Sequence, residues 1–271
     1  MTNKTVYSKF ANIWRQTRYS ARPSKSELEI INQIVKKIKP RTIAVLGATP
    51  EFRDLGLRHS SDVVALDINP KMIREMSQLM RHKEKGKKVI CDWTNIKLPD
   101  QSVDLVLSEQ SLNIIPTKEW SKVLSEVRRI LKPAGIFIAK IQIYQPDGRI
   151  LNLDHLVSKL ETGQIGISDF SSFLKYLPES TAYNRKNYVL SLKKHASLKD
   201  KLYQEGKISS KNSKIYERVF GSIFRHGLDL YVMPKDLTNK ELKEFFTIQG
   251  EKYGQDFISC KFTPIYILRK K

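Results

Sequence analysis

Gly47 and Asp67 are the residues whose types and spacing point most directly to chemistry. Gly47 ends the apolar run Ile43-Ala44-Val45-Leu46, and Asp67 ends a second, Val63-Val64-Ala65-Leu66, twenty positions later. A glycine at a strand end lets the backbone turn tightly beneath a ligand, and a carboxylate at the tip of the neighbouring strand can accept hydrogen bonds from two ribose hydroxyls. Between them, Thr49 is placed to cap a new helix, and Pro50 suits its first position, where an N–H would be unpaired in any case. The layout is that of a nucleoside-binding strand-turn-helix-strand unit.

The elements that must position these residues follow from periodicity. Leu28, Ile31, Ile34, Val35 and Ile38 recur at helical spacing after a break at Arg22-Pro23-Ser24, and Phe10, Ile13 and Trp14 suggest a helix before it. Strands are expected at Thr42 to Leu46, Asp62 to Leu66, Lys88 to Cys91, Val103 to Leu107 and Ile136 to Ile141. Helices are expected over Pro50 to Arg58, from Pro70 to about His82, and after Pro116 with Trp120, Val123, Leu124, Val127, Ile130 and Leu131 on one face. Such repeats imply right-handed crossovers and a parallel sheet. The rhythm is then lost: Leu151 to Leu160, Ser168 to Leu177, Tyr188 to Tyr203 and Lys211 to His226 read as helices. It returns with a helix at Leu237 to Phe246 and strands at Phe257 to Cys260 and Phe262 to Leu268.

A chain of 271 residues can bury one substantial core, here an α/β domain with an inserted subdomain. No apolar stretch approaches the roughly 20 residues of a membrane span and the N-terminus lacks a signal-peptide core, so a cytoplasmic location is expected. Cys91 and Cys260 end apolar runs without Cys-x-x-Cys spacing and read as buried free thiols. The formal charge of +20 could mark a polyanionic partner, but lysines spread along the whole chain read rather as a solvated surface. Its densest stretch, Lys193 to Lys214, has few aromatics on which bases could stack.

The conjunction of Leu46-Gly47, Asp67, Asp92-Trp93, Leu98-Pro99-Asp100-Gln101-Ser102-Val103-Asp104 and Leu131-Lys132-Pro133-Ala134-Gly135, in this order, resembles the class I S-adenosylmethionine-dependent methyltransferases. The resemblance implies a Rossmann-like fold: a mostly parallel seven-stranded sheet, helices on both faces, and a helical insertion before the last two strands. It divides the chain into an N-terminal helical segment covering the cofactor site (1–41), a cofactor-binding core (42–143), a helical insertion capping the substrate (144–240) and a C-terminal helix and strands (241–271). It implies S-adenosyl-L-methionine as cofactor. Gly47, Ala48 and Thr49 would pass beneath its methionine part, Asp67 would hold the ribose and Ile68 would pack on the adenine. Asp92 would accept from the adenine amino group, while Trp93 donates its backbone N–H or covers the ring. Ser108 would approach the sulfonium, and Met72 and Gln110 would complete the cofactor site.

This chain departs from the family's glycine-rich loop, with Val45 at the usual acidic position and Ala48, Thr49, Pro50 and Glu51 where further glycines stand. Gly-Ala-Thr-Pro-Glu-Phe-Arg resembles a subgroup in which Gly-Ala-Thr-Pro-Glu-Leu-Arg replaces that loop. The helix N-terminus would still favour a carboxylate. Glu51 or a backbone carbonyl would replace the missing acid, and Arg53 would pair with the cofactor carboxylate or with Glu51, or the two would form an ion pair serving only the helix. In the segment Ser108-Glu109-Gln110-Ser111-Leu112-Asn113, Glu109 would orient an acceptor or take its proton, unless it caps a helix. Asn113, Trp14 and Arg22 are candidate substrate contacts, with Arg18 and Tyr19 beside them. His155, His195 and His226 are further candidate bases.

Methyl transfer from a sulfonium needs alignment and desolvation, without a metal or a covalent nucleophile. The acceptor is expected to be an oxygen or nitrogen on a small molecule. Methylation of RNA or protein through the basic insertion, and a non-catalytic cofactor-binding scaffold, are the alternatives. A dinucleotide-dependent oxidoreductase fits less well, because the later glycines of its fingerprint are missing.

Overall fold

The computed structural model describes residue 14 and residues 22–60, 62–83, 85–145, 152–177, 180–221 and 228–271. Phe10, Ile13, Arg18, Tyr19, Leu151 and His226 lie outside them. The most apolar runs form the middle of the sheet. Strand β1 (Thr42–Leu46) lies between β2 (Asp62–Asp67) and β4 (Val103–Glu109), parallel to both. Strand β3 (Lys87–Ile90) pairs beyond β2, and β5 (Leu131–Lys140) beyond β4. With β9 (Phe246–Lys252) and β10 (Ile265–Lys270) the order is β3-β2-β1-β4-β5-β10-β9, in which β10 runs antiparallel to both neighbours.

Alternation along the strands divides the core between two faces. Ile43, Val45, Val63, Leu105 and Leu107 pack with Ile31 and Val35 of α1 (Lys25–Ile38) and Phe52 and Leu55 of α2 (Pro50–His59). Ala44, Leu46, Val64, Leu66 and Val106 face the other way, toward α4 (Trp120–Ile130), whose Trp120, Val123, Leu124, Val127 and Ile130 are all fully buried. Burial of each such side chain stabilises by about 1.5–3 kcal/mol, which is why the helical stripe legible in the sequence survives intact. Helix α3 (Pro70–Ser77) stops short of His82. The chain turns there, and the Arg81 and His82 amides donate to the Asp54 carboxylate at 2.8 and 3.1 Å.

The insertion builds a second core from α5 (Leu153–Glu161), α6 (Ile167–Leu174), α7 (Leu192–Gln204) and α8 (Ser210–Tyr216), followed by a π-helical turn. Its expected helix from Tyr188 is replaced at the start by a strand. Tyr188 has φ +60°, which no helix accommodates, and β7 (Val189–Ser191) pairs antiparallel with β6 (Tyr183–Asn184) and β8 (Asp229–Tyr231). The expected strand at Phe257 to Cys260 is instead part of a 3-10 turn over Ile258–Phe262, while the penultimate strand is β9, directly after α9 (Lys235–Phe245). Among the described residues no helix is long and apolar enough to cross a membrane, and Cys91 and Cys260 are buried free thiols.

Candidate active site

Strands β1 and β4 are neighbours whose chains depart to opposite sides of the sheet, and at such a switch point a crevice opens beyond the carboxyl ends of the strands. Here its volume is about 440 Å³. Gly47, Ala48 and Thr49 from the end of β1, Asp67 and Ile68 from the end of β2, Met72 of α3, and Asp92 and Trp93 after β3 line one side. Glu109 and Gln110 at the end of β4, together with Trp14, line it as well. Lys175, Leu192, Leu228 and Leu230 of the insertion complete the wall.

The corner after β1 requires glycine. Gly47 has φ +97°, a conformation that side-chain-bearing residues rarely adopt, and its N–H donates to the Leu66 carbonyl at 2.7 Å; the space itself is not the constraint, since a β-carbon would make only ordinary contact with the Trp93 ring at 3.7 Å. Pro50 is the first residue of α2 as expected, but Thr49, although at the cap position, makes no side-chain capping bond. Asp67 is the last residue of β2, where its Oδ1 accepts from the Asn69 amide at 2.8 Å. Burial lifts its carboxyl to about 6, against the lowering effect of the Asn69 and Ile68 amides. The Trp93 indole N–H donates to the Leu66 carbonyl at 2.7 Å, which holds the ring against the Gly47 corner. Asp92 is exposed, and its Oδ1 accepts from the Thr94 amide and hydroxyl at 2.9 and 2.8 Å.

On the opposite side, Glu109 is buried and its Oε1 accepts from Lys140 Nζ at 2.8 Å. Lys140 also donates to Glu27 Oε2 at 2.8 Å, a residue of α1 whose first turn is closed by a capping box with Ser24. Burial raises the Glu109 carboxyl, Lys140 opposes this and Glu27 reinforces it, leaving it at about 7. Burial also works against the Lys140 ammonium, but the two carboxylates more than offset it and hold its pKa above the ordinary lysine value. A buried carboxylate that titrates near neutrality has the range useful for taking or giving a proton.

Several candidates stand elsewhere. Arg53 does not line the crevice: it is buried between α2 and α3, donating to Ser77 Oγ at 3.0 Å rather than to Glu51. Glu51 is taken instead by Arg22, whose Nε donates at 2.8 Å and whose guanidinium lies over the Trp14 ring, so Arg22 secures the entry to α1 and does not reach the crevice. Ser108 falls within β4, buried in the sheet, because that strand runs two residues longer than its apolar run. Asn113 is fully buried, its amide donating to the Gln142 and Tyr231 carbonyls and accepting from the Gln142 amide, each at 2.8 Å. It ties the segment after β4 to the insertion and makes no wall of the crevice. His155 also stands outside the crevice, and the fully buried His195 lies 3.1 Å from Ser171 Oγ.

Crevice residues that sequence reasoning passed over include Ser111, Gln142 and Lys175. Ser111 Oγ donates to the Leu46 carbonyl at 2.8 Å and so ties the β4 loop to the Gly47 corner. Lys175, on the segment after α6, is buried, and desolvation lowers it to about 8. Only its position against the crevice distinguishes it from the many surface lysines. In the basic stretch, Lys199 is likewise buried, paired with Asp200 and Glu217 at 2.6 Å, so Lys193 to Lys214 is not one uniform basic face.

The residues present fit an adenosine-bearing sulfonium cofactor. The left-handed Gly47 corner leaves backbone exposed beside the Trp93 edge, a carboxylate stands at the tip of β2, and the partly exposed Ile68 offers an apolar surface beside it. Residues 47–139 match the family described as "Methyltransferase domain". The "eEF1A lysine and N-terminal methyltransferase" of Homo sapiens is 29% identical over 131 residues, which is 46% of this chain and 18% of that protein, so the chain spans under a fifth of the relative's length. Among solved structures, a protein described as a putative Zn-dependent alcohol dehydrogenase from Rhodobacter sphaeroides superposes with TM-score 0.60 at 16% identity, over 100% of this chain and 99% of that one. The 1,6-didemethyltoxoflavin-N1-methyltransferase of Burkholderia thailandensis, solved with its acceptor and S-adenosylhomocysteine, gives 0.53 at 12% identity, over 98% and 88%. At such identities these likenesses establish the fold alone. The sequence match over residues 47–139 is to a methyltransferase domain, and the sheet order around it is that of a Rossmann-like α/β fold.

Proposed function

We propose that this chain transfers a methyl group from S-adenosylmethionine to an oxygen or nitrogen of a small molecule. The observation that carries this reading is one crevice with Asp67 at the tip of β2 and Glu109 at the tip of β4, closed by apolar residues of the insertion. A walled cavity of about 440 Å³ suits compact ligands. When bound, the cofactor supplies a methyl group already activated on a sulfonium, so the protein's part is to hold, align and keep out water. Asp67 would accept from the ribose hydroxyls, Ile68 and Met72 would pack on the base, and Gly47 to Thr49 would pass beneath the methionine portion. Glu109 would accept a hydrogen bond or a proton from the acceptor. Residues 144–240 would serve as the substrate cap.

A second reading, methylation of a protein, is favoured by the relative that acts on eEF1A, although the alignment leaves over half of this chain unmatched. One experiment separates the readings: calorimetry with S-adenosylmethionine, followed by incubation of the protein and methyl-labelled cofactor with the small-molecule and the protein fractions of a cell extract. Label entering small molecules supports the first reading, and label confined to protein the second. Failure to bind the cofactor would leave a scaffold and sink both.

A further inference from the structure

Among the described residues, buried negative charge exceeds buried positive charge at one end of the crevice. Lys140 Nζ lies 2.8 Å from a Glu27 oxygen and 2.8 Å from a Glu109 oxygen, with all three side chains at most 3% exposed. One ammonium cannot neutralise two carboxylates. Glu51, whose charge also acts on Glu109, is paired with Arg22 and supplies no compensation. Of the four, only Glu109 lines the crevice. Its Oε1 is held by Lys140, whereas its Oε2 is buried and has no hydrogen-bond partner among the described residues. A buried carboxylate oxygen left unpaired is costly, and a donor that also carries positive charge relieves both the missing bond and the excess charge. A hydroxyl would relieve only the first.

We infer that Glu109 Oε2 is a binding site for a primary ammonium group, completed by ligand rather than by protein. The inference rests on the methyltransferase reading and narrows it. The ammonium belongs either to an amine acceptor or to the amino-acid end of the cofactor. The second source is in reach because Leu46 pairs with Ser108, which sets Glu109 level with Gly47 across the β1–β4 pair.

Two pairs of probes test the inference by calorimetry. The protein loaded with S-adenosylhomocysteine is titrated with n-butylammonium and with n-butanol. The free protein is titrated with S-adenosylhomocysteine and with 5′-methylthioadenosine, which keeps the nucleoside and thioether but has no ammonium. With an amine acceptor in the site, wild type prefers butylammonium to butanol by about tenfold or more, and Glu109→Gln erases the preference while binding S-adenosylhomocysteine normally. With the cofactor in the site, Glu109→Gln weakens S-adenosylhomocysteine by about tenfold or more and leaves 5′-methylthioadenosine unchanged. Either result sustains the inference. If Glu109→Gln preserves both wild-type ratios, the inference is overturned. A protein that binds neither nucleoside loses the methyltransferase reading, and the butylammonium comparison, repeated without nucleoside, then decides the ammonium site by itself. Should Glu109→Gln fail to fold, wild type still tests the inference: the preference for an ammonium probe must fall as pH drops and Glu109 takes up a proton, and a preference that stays constant from about pH 8 to about pH 5 overturns it.

Discussion

Asp67 and Glu109 face the same crevice from two walls, and burial raises both carboxyls, to about 6 and about 7. Their support differs. Asp67 is held by the amides of the two residues that follow it, so its wall is assembled by a local turn. Glu109 is held by Lys140 from β5 and, through it, by Glu27 from α1, so its wall exists only when distant parts of the chain are packed. A locally supported acid can be altered with the fold intact, whereas removing Lys140, the one cation of the buried triad, leaves two carboxylates uncompensated.

The sharpest break in that comparison is Lys140→Met, which strands two buried carboxylates and should destabilise the protein by about 3–5 kcal/mol, measured by urea denaturation. Loss below 1 kcal/mol would show that the triad is no structural unit. Asp67→Ala should leave stability nearly unchanged but weaken calorimetric binding of S-adenosylhomocysteine by about 1.5–3 kcal/mol, the range for hydrogen bonds to a charged group. Unchanged affinity would place the ribose elsewhere. Because the hydroxyls donate to the ionised carboxylate, binding should be full above the raised pKa of about 6 and fall below it, approaching about tenfold per pH unit. A pH-independent affinity between 4 and 7 would contradict this sign. The smallest effects compare two helix starts. Ser24→Ala, which removes a capping-box oxygen, should cost about 1 kcal/mol in thermal unfolding. Thr49→Ala, where no capping bond exists, should stay within about 0.5 kcal/mol.

The helical face of α4 was legible because five of its apolar residues at 3.6-residue spacing all went to one core, and β1 because the unbroken apolar run within its five residues, flanked by Pro40 and Gly47, is too short for a buried helix and suits a strand covered on both faces. The turn at Tyr188 and the strand β9 were not. Tyr188 takes a left-handed conformation that its residue type does not announce, and the alternation from Phe246 begins where the helical pattern from Leu237 has yet to end. The site divides in the same manner. Gly47 and Asp67 stand out because a corner residue and a strand-tip acid do their work within their own turn. Arg53 and Asn113 misled because an arginine or an asparagine near a site looks the same in sequence whether it meets a ligand, as expected, or a buried hydroxyl and carbonyls, as found.

What the amino-acid order determined alone is the alternation of strands and helices through β5 and the residues at the corner and tip of the nucleoside unit, because hydrophobic period and turn chemistry act within a few residues. What only the tertiary structure decided is the partnership of Glu27, Lys140 and Glu109, brought together from positions 82 and 113 residues apart in the cases of Glu27–Glu109 and Glu27–Lys140. The reason is physical: the state of a buried charge depends on which charges surround it in space, and no local pattern records that neighbourhood.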